Sequence, residues 1–227
     1  MFERQMRYLH DHRYRCLSLA EAVRPPSMGS TPVDRTFVLT FDDGNEDFMV
    51  KAYPILRRFR FTATVFLVTD QVGKRRGWED ACETPLLSWE QVLALRQEGI
   101  SFGSHTCTHR RLTELPPSEV RNEMNRSMEE MERRLDRKVE FLAYPFGDSS
   151  TEIQEMAEEA GYLGACGVLK GKPNRFNLQR REIHSVDTLF SFRMKLTPLH
   201  RVPNWLRRKT AAGRMWDRLA LSARKGC

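Results

Sequence analysis

The chain lacks any apolar run approaching the roughly 18 residues that a bilayer-crossing helix needs, so a helical membrane span is not expected. Its opening stretch, Met1 to His10, is polar and charged and does not read as a secretory signal peptide. Cysteine is sparse and scattered: Cys16, Cys82, Cys107, Cys166 and Cys227 include no CxxC pair, which argues against a disulfide framework and for a reducing compartment. No glycine-rich dinucleotide fingerprint follows a strand pattern, and Gly73-Lys74 lacks the rest of a phosphate loop. Acidic residues are scarce at the C-terminal end. Ten Lys or Arg between Arg193 and Cys227 face one acid, Asp217, so a basic tail carries the net charge of +7 and the rest of the chain is slightly acidic. Such a tail suits peripheral contact with anionic membrane, with no nucleic-acid module around it. These features give an expected location in the cytoplasm or peripheral to a membrane.

What is present is a globular composition, 40% hydrophobic and 30% charged over 227 residues, enough for one domain with a substantial core. Helical spacing marks residues 2 to 14, followed by a Pro-, Gly- and Ser-rich loop from Arg24 to Asp34. Strand patterns follow over Thr36–Phe41, Phe61–Thr69, Ile100–Gly103, Val139–Tyr144, Tyr162–Val168 and Leu178–Ile183. Helical patterns alternate with them over Asp47–Phe59, Trp89–Gln97, Glu119–Leu135, Ser150–Ala160 and Thr188–Leu196. Pro54 suggests a bend or late start in the first of these helices. Alternation of this kind calls for a parallel sheet covered by helices, open or closed into a barrel. The expected organisation is an N-terminal helix and surface loop (1–35), a main domain (36–200) and a basic amphipathic tail (201–227).

The chemistry gathers after strands. Thr40-Phe41-Asp42-Asp43-Gly44 ends an apolar run with two carboxylates that cannot both enter a core, although Asp and Gly also make ordinary turns. His105 and His109 are four apart. A helical turn there would put both imidazoles on one face, and with one Asp they compose a catalytic zinc arrangement. Cys107 between them would point elsewhere and pack in the core. One carboxylate can hold the metal while its neighbour takes a proton from water. The bend at Tyr144-Pro145-Phe146-Gly147 offers backbone donors for a developing oxyanion. His184 and His200 are candidate acids for a leaving amine. In the long connection from Asp70 to Leu87, Trp78 is expected either to meet a ligand or to pin the loop.

Together, Thr40–Gly44, His105–His109 and Leu142–Gly147 closely resemble the polysaccharide deacetylases of the NodB-homology type, carbohydrate esterase family 4. The resemblance covers roughly Thr36 to Leu196. It implies an α/β fold, a distorted or incomplete (β/α) barrel of about seven parallel strands. It also implies a hydrolase that removes acetyl groups from an N-acetylated sugar, polymeric or lipid-linked. By resemblance, Asp42 is the catalytic base and Asp43, His105 and His109 hold the metal, Zn2+ or another divalent transition ion. Phe146 supplies a backbone N–H to the oxyanion, His184 is the acid, and Trp78 and Tyr144 contact substrate.

Three departures accompany the resemblance. Ala143 stands where the family commonly has the arginine that orders the base, so Asp42 needs another partner. Phe146 replaces the usual tyrosine, and Glu182-Ile183-His184 is the nearest relative of the final Leu-x-His motif. A strand carrying Tyr-His often precedes a helix like Phe2–Met6 in the family, so either the barrel is more open here or the natural chain starts earlier. The alternatives are hydrolysis of another non-peptide amide on the same site, and an inactive metal- or carbohydrate-binding protein.

Overall fold

In a computed structural model that describes residues 1–24, 35–78, 84–168 and 171–197, the expected alternation is realised as short strands and longer helices. The chain divides into two units, one of Met6–Arg180 and one of Met1–Gln5 with Arg181–Cys227. The expected basic amphipathic tail (201–227), and His200, lie outside the described residues. Among the described residues no helix is long and apolar enough to cross a membrane.

Helix α1 (Phe2–Asp11) opens the chain. Strands β1 (Arg15–Cys16) and β2 (Thr36–Phe37) form a small parallel pair, with α2 (Leu19–Val23) between them in sequence. A parallel sheet follows, ordered β3 (Thr40–Phe41), β4 (Thr64–Leu67), β5 (Ser101–Ser104), β6 (Phe141–Ala143), β7 (Gly164–Gly167) and β8 (Leu178–Gln179). Each strand pairs with the next in sequence, and the order never reverses. That is barrel winding rather than the doubly wound arrangement, and with β3 and β8 unpaired to each other it is an incomplete (β/α) barrel, as expected.

The helices between these strands begin and end where local chemistry says they should. Ser88 starts α4 (Trp89–Gln97) with a reciprocal box: its hydroxyl accepts the Gln91 N–H while the Gln91 side chain accepts the Ser88 N–H. Pro117 opens α5 (Pro117–Leu135), and the Ser150 hydroxyl caps α6 (Thr151–Glu159). Two expectations are corrected. The run Thr36–Phe41 is two strands, because β2 pairs with β1 and β3 with β4. The expected helix from Asp47 is wider at first, a π-type segment over Phe48–Ala52 in which the Tyr53 N–H reaches the Phe48 carbonyl. Only α3 (Tyr53–Phe59) is α-helical, because Pro54 has no N–H to give and its ring would strike a carbonyl one turn back.

Alternation along the strands sends Phe66, Phe141, Ala143 and Cys166 into one cluster, closed by Leu19 of α2. Gly103 of β5 makes room there. A Cβ at that position would lie 2.5 Å from the Phe66 ring and 2.8 Å from the Phe141 carbonyl oxygen. Asp42 and Asp43 follow the carboxyl end of β3, His105 and His109 that of β5, and Phe146 that of β6.

Candidate active site

Past β3 the chain turns through two successive left-handed residues, Asp43 at φ 70° and Gly44 at φ 74°. Asp tolerates this conformation and Gly44 adopts it without strain, and a Cβ at Gly44 would come within 2.7 Å of Leu67 Cδ2. The turn sends the two adjacent carboxyls to different partners. Asp42 meets Arg180, immediately after β8, through two parallel hydrogen bonds: Nη1 to Oδ1 at 2.6 Å and Nη2 to Oδ2 at 2.8 Å. Nη1 also donates to Thr40 Oγ1 at 3.1 Å. Asp43 Oδ1 instead lies 3.6 Å from His105 Nε2 and 3.5 Å from His109 Nε2, while its Oδ2 accepts from Arg76 Nη1 at 3.1 Å.

The histidines reach this point without a helical turn. Residues 105–109 form a loop in which Thr106 (φ 67°) and His109 (φ 63°) are left-handed. The His105 Nδ1–H donates to the Ala143 carbonyl at 2.7 Å, which fixes the tautomer and leaves the Nε2 lone pair facing Asp43. The His109 ring is held on both sides, by Trp78 with centroids 4.6 Å apart and by Phe146 at 4.9 Å. Cys107 is buried, as expected, with its thiol directed to the Glu123 carbonyl; burial lifts its pKa to about 11.

Electrostatics divide the two carboxyls further. Burial alone would raise Asp42, but the Arg180 guanidinium, with His105, outweighs it and holds the carboxyl below the usual carboxylate range. Asp43 moves the other way. Burial raises it, the neighbouring Asp42 charge adds to that, and His105 and Arg76 only partly offset them. Burial, with His105 close by, pushes His109 down to about 3, so its imidazole stays neutral and able to donate an electron pair. Two imidazoles and one carboxyl, with ligand atoms all within 4.8 Å of one another, fit a divalent transition ion by number, type and spacing.

After β6 the backbone bends at Phe146, left-handed at φ 59°, ψ 7°. The N–H groups of Gly147 and Asp148 are taken by the Tyr144 and Pro145 carbonyls, and among the described residues the Phe146 N–H makes no hydrogen bond. The Arg111 guanidinium lies 4.2 Å over the Phe146 ring and pairs with Asp148, clamping the bend from the loop after β5. The Tyr144 side chain is wholly buried and its hydroxyl donates to the Phe176 carbonyl at 2.9 Å. Trp78 is half-buried, its ring stacked on that of His109. His184 belongs to the unit that begins at Arg181. There its side chain is exposed 3.5 Å from Glu182, and its N–H is held by Asp187 at 2.7 Å.

Four residues escaped sequence reading: Arg76, Arg111, Arg180 and Glu123. Arg180 had a usable signal, since it follows a strand at the same end as Asp42. Glu123 also had one, as an acid flanked by the apolar stripe Val120, Met124 and Met131 of α5.

Comparison with known proteins places this geometry among relatives. The family model described as polysaccharide deacetylase matches residues 29–165. The Bacillus subtilis protein named "Putative polysaccharide deacetylase YxkH" is 31% identical over 174 residues, covering 77% of this chain and 59% of that protein. The poly-beta-1,6-N-acetyl-D-glucosamine N-deacetylase of Staphylococcus aureus strain MRSA252 is 25% identical over 169 residues, covering 70% and 57%. The chain thus spans somewhat under three fifths of the length of these curated relatives. Among solved structures, the Streptococcus pyogenes deacetylase PplD in complex with acetate superposes with a TM-score of 0.73 at 26% identity, covering 87% of this chain and 86% of that one.

Proposed function

The chain belongs to the polysaccharide deacetylase family, and from that premise we propose that it is a metal-dependent hydrolase removing acetyl groups from an N-acetylated sugar. The observation that carries the reading is the pairing of two adjacent carboxyls with opposite surroundings: Asp42 forked to Arg180, and Asp43 facing two neutral-capable imidazoles. Asp43, His105 and His109 would hold the ion, zinc by preference for this nitrogen and oxygen set. When bound, such an ion polarises the acetyl carbonyl and lowers the pKa of water toward about 7.

The chain's own residues do the rest. Asp42 accepts the proton of the attacking water. Arg180 keeps it ionised at neutral pH and fixes both its oxygens, the task the family commonly gives to the arginine that Ala143 replaces. Arg180 thus supplies the partner that Asp42 needs in place of that arginine, which favours the catalytic reading over a purely binding one. The Phe146 N–H donates to the oxygen that gains charge as the carbonyl carbon becomes tetrahedral. His184 protonates the leaving amine, a role assigned by resemblance. Trp78 keeps its half-buried ring beside the metal ligands, where a sugar face can lie against it.

The test is acetate release from short N-acetylglucosamine oligomers with added zinc, beside the Asp42→Asn protein with its metal content measured. The expected result is retained metal and a rate loss of about 10²–10⁴-fold in the variant. Metal bound by the unsubstituted protein with no acetate released from these oligomers would overturn the sugar-deacetylase reading.

A further inference from the structure

We infer that Glu123 of α5 is the positioning residue for the metal: a buried carboxyl that holds the loop carrying His105 and His109 in its metal-gripping shape. The inference rests on the metal reading proposed above, and its ground is an account of the loop's backbone hydrogen bonds. Of the five N–H groups from His105 to His109, only one finds a backbone partner, His105 to the Leu67 carbonyl at 2.8 Å. Thr106 N–H goes to Ser104 Oγ at 3.2 Å and His109 N–H to Thr106 Oγ1 at 3.2 Å. The middle two, Cys107 and Thr108, both donate to Glu123 Oε2 at 2.9 Å. Glu123 Oε1 accepts the Thr108 hydroxyl at 2.6 Å.

Successive N–H groups aimed at one point form an anion-binding concavity, and here the protein fills it with its own side chain. Glu123 is only 4% exposed, so water cannot easily replace it. Without it the N–H groups of buried Cys107 and half-buried Thr108 lose their acceptor, and the left-handed residues at 106 and 109 keep only the Ser104 and Thr106 hydroxyl bonds beside them. On the opposite side the loop is already fixed: the Thr106 and Cys107 carbonyls accept from Thr69 and Asp70 after β4. Glu123 therefore sets the depth and angle of the span between the two histidines while touching neither ring.

The experiment is zinc titration of the chelator-treated full chain against a competing chromophoric chelator, with thermal midpoints recorded alongside. The proteins compared are the unsubstituted chain, Glu123→Ala, Glu123→Gln and Met131→Ala. Met131 is fully buried on the same helix away from the loop and reports loss of packing alone. Glu123→Ala should weaken zinc about 10–100-fold. Glu123→Gln, which keeps one acceptor oxygen, should fall between it and the unsubstituted chain. Met131→Ala should lower the thermal midpoint while changing zinc affinity by no more than about threefold. Zinc affinity of Glu123→Ala equal to that of Met131→Ala would overturn the inference. If Glu123→Ala does not fold, Glu123→Gln with undiminished affinity does so. An unsubstituted chain that binds no zinc would instead overturn the metal reading, and this inference with it.

Discussion

Asp42 and Asp43 are the same side chain on neighbouring residues, and one backbone turn gives them different chemistry. The left-handed conformation at Asp43 and Gly44 faces one carboxyl toward a guanidinium fork and the other toward two imidazoles. Arg180→Gln removes the charge that holds Asp42 low while leaving its burial in place. The pKa of Asp42 should therefore rise, and since the base acts deprotonated, the acid limb of the pH profile of kcat/KM should move to higher pH. The maximal rate should fall by about tenfold or more, because the fork also aims the carboxyl. Arg180→Lys should keep the acid limb low yet recover only part of the rate, since an ammonium cannot fork. A limb that stays put in the Gln variant would separate Arg180 from the base. Sequence made Asp42, Asp43, His105 and His109 legible because each is local to a strand end. Arg180 was not, because it lies 138 residues from Asp42 and only the closing of the strand order brings them together.

Elements differ in how far local chemistry decides them. The box at Ser88 and the hydroxyl caps at Ser150 and Thr188 are contained within four residues, and these helix starts were readable to within a residue. The shape of the loop 105–109 was not legible, because spacing alone cannot report that its N–H groups go to Ser104, Thr106 and Glu123 instead of one turn back. β5 likewise shows a tertiary demand in a single residue. Gly103→Ala forces a methyl against the Phe141 carbonyl oxygen, which cannot swing aside as a side-chain end can. The expected cost is about 1–3 kcal/mol from overpacking, read as a lower urea midpoint with unchanged slope. In the unit containing α7 (Leu189–Lys195), buried Asp187 accepts from Lys195 at 2.5 Å, the His184 N–H at 2.7 Å and Ser191 Oγ at 2.8 Å. Burial alone would raise its pKa, but these donors outweigh it and hold it below the usual range. A depressed carboxyl contributes stability above its unfolded pKa of about 3.9 and loses it as pH falls through the folded value. Asp187→Asn should therefore speed hydrogen exchange in α7 at pH 7, with a cost of about 1.5–3 kcal/mol, and the difference should shrink below about pH 4.

For the Met6–Arg180 unit as a whole, β3 is the strand on which closure depends. It pairs with β4 on one side only, and β8 is the opposite edge of the sheet. Two sets of interactions tie β3 to other strands: Arg180, after β8, reaches Thr40 and Asp42, and the proposed ion would join Asp43 to the histidines after β5. Both ties are side-chain interactions spanning sheet positions that backbone pairing leaves apart. Metal should therefore stabilise the fold as well as serve the reaction. At zinc concentrations about 100-fold above the dissociation constant the gain is about 2.7 kcal/mol, which for a chain of this size raises the melting temperature by roughly 5–10 °C. Chelation should reverse the shift together with acetate release. Hydrogen exchange should place the protection unevenly, strongest over residues 40–44 and 104–109 and weak over β6 and β7, whose pairing already holds them on both sides. Uniform protection would mean that the ion acts through general stabilisation, whereas protection confined to those two segments would identify it as the tie that holds β3 to β5 across the mouth of the incomplete barrel.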